Sequence, residues 1–92
     1  MDNIHKVLDE ETLTVGSSVV SPLKIIPSGL EGALVGIENA SVRVKFLGDP
    51  TATSGWKLED GNTYEFDGDD IGRARFIAIS GTATLQIVYY GK

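Results

Sequence analysis

The chain is 92 residues long, with no cysteine and a formal net charge of −5. That length makes one domain with one modest core, and the missing cysteines exclude a disulfide framework or a thiolate metal site. Lys and Arg are scattered, so no basic cluster is available to displace the counterions of a nucleic acid, and the acidic balance suits a partner surface that is neutral or basic.

Met1–Glu11 carries Ile4, Val7 and Leu8 at helical spacing, with Asp2 or Asn3 as an N-cap. The segment is too short for a stable isolated helix. The alternative is a flexible arm over 1–11 that orders on contact, ahead of a folded domain over 12–92. Thr12–Val15 alternates, with Leu13 and Val15 on one side. Gly16-Ser17-Ser18 turns the chain, and Val19-Val20 starts a short extended run that Pro22 ends. Leu23–Ile26, between Pro22 and Pro27, reads as a short edge strand.

The middle of the chain, Ala33–Phe66, holds the strongest pattern. In Ser41–Phe46 the residues Val42, Val44 and Phe46 fall on one face, and Ser41, Arg43 and Lys45 on the other. Ala33–Glu38 is also strand-like, and the short polar Glu38-Asn39-Ala40 between them predicts an antiparallel hairpin. Gly48–Gly55 is a polar loop started by Asp49-Pro50. Trp56 and Leu58 then share a side. Asp60-Gly61 predicts a second hairpin, pairing them with Thr63–Phe66, where Tyr64 and Phe66 share a face.

Asp67–Asp70 is turn-rich, and Ile71–Ala74 is expected to form one helical turn capped by Asp69 or Asp70. Arg75–Ile79 is apolar on both faces and predicts a central strand. Ala83–Tyr90 closes the chain, with Ala83, Leu85, Ile87 and Tyr89 inward and Thr84, Gln86, Val88 and Tyr90 outward. About seven to eight short strands with frequent turn signals and almost no helix predict an all-β sandwich or small barrel.

Chemical motifs are weak. Counted from Asp67, the twelfth position of a calcium loop is Ala78 and not Glu, so Asp67–Asp70 reads as a turn. A Ser-His-Asp site would rest on His5, the single histidine. Carboxylate pairs for glycoside hydrolysis can be drawn from Glu31, Glu38, Glu59, Asp60 and Glu65, but most sit at turns or on outer faces. The glycines do not lead one strand into one helix, as a phosphate loop requires. The expectation is a chain that is not an enzyme and has no cofactor or metal. Sugar binding is the chemical alternative, with Trp56, Tyr64, Tyr89 and Tyr90 as a stacking platform. Against it, the ordinary use of aromatics in a small sandwich makes Trp56 and Tyr64 core or cross-strand partners across the Asp60-Gly61 turn. Tyr90, on the polar face, and the Gly48–Gly55 loop with Asp49, Pro50 and Thr51 are the candidate partner contacts.

Several segments together resemble the small virion proteins of tailed bacteriophages that decorate or cement capsids. They are T-L-T-V-G-S-S-V-V (Thr12–Val20), S-V-R-V-K-F (Ser41–Phe46), D-P-T (Asp49–Thr51), L-E-D-G-N (Leu58–Asn62), R-F-I-A-I (Arg75–Ile79) and A-T-L-Q-I-V-Y-Y (Ala83–Tyr90). Each is strand and turn grammar, and their order carries the resemblance over nearly the whole chain beyond the first ten residues. It transfers no functional residue. It implies a jelly-roll-like β-sandwich of mainly antiparallel strands. It also implies a homo-oligomer, a trimer above other states, that binds the major capsid protein or another virion protein at many equivalent points. The arm residues Ile4, Val7 and Leu8 would then reach a neighbour. A carbohydrate- or receptor-binding module of a phage tail or cell surface, and a tail or head–tail connector component, are the alternatives. The first residues show neither the basic n-region nor the apolar h-region of a secretory signal, and no apolar run approaches the roughly 20 residues of a membrane helix. A chain made in the host cytoplasm and carried in the virion, binding neither nucleic acid nor membrane, is therefore expected.

Overall fold

Apolar residues at every second position give most strands of this chain one face to bury, and two sheets bury those faces against each other. The computed structural model describes residues 6–22 and 28–92. Its elements are β1 (Lys6–Val15), β2 (Leu30–Glu38), β3 (Val42–Lys45), β4 (Trp56–Leu58), β5 (Thr63–Asp67), α1 (Gly68–Ile71), β6 (Arg75–Ala78) and β7 (Ala83–Gly91). One sheet has the order β1-β7-β2-β5 and the other β4-β3-β6, all pairs antiparallel.

Val20 completes the second sheet. Its N–H donates to the Phe76 carbonyl at 2.9 Å and its carbonyl accepts from the Phe76 N–H at 2.8 Å, while Gly16 O accepts from Ala78 N at 2.9 Å. Segment Gly16–Val20 thus lies along β6 on the side away from β3. Numbered as a strand in its own right, the Val20 bridge makes the two sheets read 1-8-3-6 and 2-7-4-5 in chain order. That is the wrapping of a jelly roll. It also gives Arg75–Ala78 neighbours on both sides, which suits its apolar composition.

The core is the alternation made solid. Leu13 and Val15 of β1, Ala33, Val35 and Ile37 of β2, and Ala83, Leu85, Ile87 and Tyr89 of β7 are buried on the inner face of the larger sheet. They meet Val42, Val44, Leu58, Phe76 and Ala78 from the smaller one. Each fully buried Val, Ile or Leu contributes about 1.5–3 kcal/mol relative to exposure. Phe66 links the layers. Its ring lies 5.8 Å from Phe46 and 6.1 Å edge-on from Phe76 between centroids, spacings at which aromatic rings attract.

Four expectations change. The Ala33–Phe46 hairpin does not form: β2 pairs with β5 and β7, and β3 with β4 and β6. Asn39, at φ 75°, turns the chain out of one sheet into the other. The Asp60-Gly61 hairpin is likewise a crossing between sheets. Gly61 N donates to Ile37 O at 2.7 Å and Asp60 N to Ser41 Oγ at 2.9 Å, so the turn is tied to the β2–β3 connection and not to a paired ladder. The helical turn lies at Gly68–Ile71, earlier than expected, with Asp67 as N-cap. Lys6–Glu11 is neither helix nor separate arm. It runs on as β1 against β7, from Lys6↔Gly91 to Glu11↔Ile87, with a bulge between Val7 and Asp9. A nine-residue β7 offers ladder bonds along that whole length, so the expected boundary at residue 11 has no counterpart. Ile4, His5 and the Leu23–Ile26 strand lie outside the described residues.

Candidate functional site

The expected contacts fall on two different surfaces. Val7 and Tyr90 are cross-strand partners on the outer face of the larger sheet. With Lys6, Leu34, Glu65 and Val88 they line a shallow depression of about 330 Å³. Tyr90 does not stand free: its hydroxyl donates to Glu65 Oε2. That carboxylate, then burial, pushes the phenol up to about 12. Leu8 sits in the β1 bulge and is half-buried.

The Asp49–Thr51 loop belongs to the β3–β4 connection of the smaller sheet. Pro50 is fully buried and presents no contact surface, which corrects its place among the candidates: the ring fills space beneath the loop. Asp49 pairs with Arg75 Nη1 at 2.8 Å. Thr51 and Ser54 exchange backbone hydrogen bonds at 2.9 and 3.2 Å. Arg43 holds the loop from below, donating from Nε to Ala52 O at 3.1 Å and from Nη1 to Gly55 O at 2.9 Å. The loop is therefore a closed, pinned turn.

The two ends of that loop expose what the sequence reading missed. Leu47 is 85% exposed and Trp56 72%, the largest exposures among the big apolar residues described. Leu47 had a legible signal. Val42, Val44 and Phe46 face inward, so the next residue faces out, and Gly48 offers it no cover. Trp56 shares its side with Leu58, as expected, but only Leu58 is buried. β4 is an edge strand of three residues, and its first side chain stands mostly exposed where the two sheets part.

Under Trp56 the two sheets part at their β4 and β5 edges. The opening is a groove of about 250 Å³. Phe46, Tyr64 and Phe66 line it with Trp56, and Glu65, Asp67 and Asp70 stand in its lining. The Tyr64 hydroxyl accepts from Glu59 N at 2.8 Å, which holds its ring at the groove wall. Trp56 also lines a second, more apolar depression with Leu47 and Gly55.

Tyr89 and Tyr64, the other members of the expected platform, are not free for stacking as a set. Tyr89 is buried, and its hydroxyl donates to Glu11 Oε1 at 2.7 Å. Burial foremost, then the Glu11 carboxylate, raises its phenol far above the ordinary value. Among the described residues, no three His, Cys, Asp or Glu side chains converge to hold a metal ion. Among those residues no helix is long and apolar enough to cross a membrane. Comparison with protein-family models, curated proteins and solved structures found no match to this chain.

Proposed function

We propose that the chain is a non-enzymatic virion structural protein of a tailed bacteriophage, of the type that decorates or cements the capsid. The observation that supports this best is the exposed pair Leu47 and Trp56, which flank a loop that Arg43 and the Thr51–Ser54 bridge hold in place. Apolar side chains presented beside a pinned loop dock without ordering that loop, and many equivalent copies of a weak contact give strong retention on a shell. The ordered segments that resemble capsid-decorating proteins agree with this reading.

The test is retention on capsids of the particle whose genome encodes the chain, prepared without it. The wild type should co-sediment, and a Leu47→Asp, Trp56→Ser variant of unchanged thermal midpoint should not. Equal retention of that variant, or no retention of the wild type, overturns the reading. Light scattering should give a trimer; a larger ring would favour a tail or connector component. A second reading, a carbohydrate- or receptor-binding module, is favoured by Trp56 standing beside Phe46 and Tyr64 in an open groove. Saturable quenching of Trp56 by a neutral sugar would support it.

A further inference from the structure

The larger sheet ends at β5 in an unpaired edge. Ile37 turns its backbone toward that strand: its N–H donates to Asn62 O at 2.9 Å, and its carbonyl accepts from Gly61 N at 2.7 Å. Backbone direction alternates along a strand, so Val35 and Ala33 point the same way and bond their partners Tyr64 and Phe66. Thr63 and Glu65, with the N–H of Asp67, therefore point away from β2, toward a side on which no described strand lies. None of these backbone groups has a hydrogen-bond partner among the described residues.

This edge is one rim of the groove under Trp56. Glu65 and Asp67 line the groove although they sit on the outer face of the sheet, in register with Leu34 and Gly32. Tyr64 and Phe66 face the other way, into the groove, beside Phe46 and Leu58. A strand laid along β5 would meet both surfaces. Its inward side chains would enter an apolar, aromatic groove, and its outward ones would stand against Thr63, Glu65 and Asp67. Opposite charges across a strand pair attract, and like charges repel. Glu65 leans on Tyr90 as a carboxylate, and Asp67 is in no ion pair among the described residues. A second copy paired along all of β5 would set Glu65 against its own image, and such charges are how edges resist self-pairing.

We propose that the β5 edge takes an extended segment of a partner protein as an added strand, a segment in which apolar and basic residues alternate. Main-chain bonds to Thr63, Glu65 and Asp67 hold it. Its apolar side chains fill the groove, and its Lys or Arg side chains face Asp67 and Glu65 on the outer surface. The partner need not be a capsid subunit, so failure of capsid retention leaves the site standing.

The probe is the peptide Lys-Val-Lys-Val-Lys-Val-Lys, blocked at both ends and titrated against the wild-type chain. Two quantities are read: fluorescence of Trp56, the single tryptophan, which lines the groove, and amide hydrogen exchange along β5. Saturable quenching is expected. The amides of Thr63, Glu65 and Asp67 should exchange fast in the free chain and about tenfold slower or more at saturation. The isomer Lys-Lys-Val-Val-Val-Lys-Lys, which breaks the alternation, should bind about tenfold more weakly. So should the first peptide N-methylated at its five inner residues, which keeps the side chains and loses the ladder donors. Equal binding by the N-methylated peptide, or quenching without slower exchange at those three amides, overturns the strand pairing. Equal binding by Glu-Val-Glu-Val-Glu-Val-Glu overturns the preference for a basic partner. Saturation by neutral maltotetraose with no response to the peptide overturns the proposal too and makes the groove a sugar site.

Discussion

The ring of Tyr90 lies in the space that a side chain on Gly32 would fill. The two are cross-strand partners. A Cβ on Gly32 would meet the Tyr90 hydroxyl, Tyr90 Cζ at 2.7 Å and the Phe66 carbonyl at 2.8 Å. The missing side chain lets Tyr90 cross β2 and reach Glu65 on β5. One glycine thus allows a side chain of the second strand in the sheet to lock onto the fourth.

Gly32→Ala should cost about 1–3 kcal/mol, the range for overpacking, read as a lower urea midpoint with unchanged slope. Adding Tyr90→Ala should recover only part of it, because the Phe66 carbonyl is backbone and cannot swing away. Wild-type stability for Gly32→Ala would show that the ring does not cross there.

Tyr90 should ionise late. Its phenol stands at about 12, against an ordinary value of about 10, so the folded state favours the protonated form. Whatever stability this adds is present below about pH 10 and is lost as pH rises through 12. Absorbance titration of the phenolate should show a step near pH 12 that vanishes in Tyr90→Phe and moves toward the ordinary value in Glu65→Gln. A step unmoved by Glu65→Gln would remove the carboxylate as its cause.

Arg43→Met should loosen the Gly48–Gly55 loop. The guanidinium bonds to Ala52 O and Gly55 O at 3.1 and 2.9 Å, and hydrogen bonds from a charged group contribute about 1.5–3 kcal/mol when sheltered. These are partly solvated, so a loss of about 1–2 kcal/mol is expected. Hydrogen exchange should rise at Thr51 and Ser54, whose amides close the loop. Unchanged protection there would mean that the Thr51–Ser54 bridge holds alone.

Phe76→Ala and Trp56→Ala should lie at opposite ends of the stability scale. Phe76 is fully buried and edge-on to Phe66, so its loss should cost about 3–5 kcal/mol. Trp56 is 72% exposed, and its loss should change stability by about 0.5 kcal/mol or less. Acrylamide should quench its fluorescence freely. A large destabilisation by Trp56→Ala would return that residue to the core.

Which residues face inward is legible from the order of side chains along the chain. Alternation is a property of the extended backbone, so Leu13, Val15 and the run from Ala83 to Tyr89 reveal their buried side without reference to any partner. The same order locates the turns, because Asn39, Asp49-Pro50 and Gly61 carry their backbone preferences with them. Tertiary structure alone decided which strand pairs with which. A polar turn with a residue at positive φ can close a hairpin or carry the chain to the other sheet, and both bury the same faces. At Asn39 and Gly61 the chain crosses, since pairing β2 with β7 and β3 with β6 gives each two-sided ladders. Exposure at edges was settled the same way. Trp56 and Leu58 share a face, yet one is core and the other surface, because burial depends on what lies opposite and not on which way a side chain points. The groove, built from β3, β4, β5 and α1 together with the residue after β3, exists only once those edges meet.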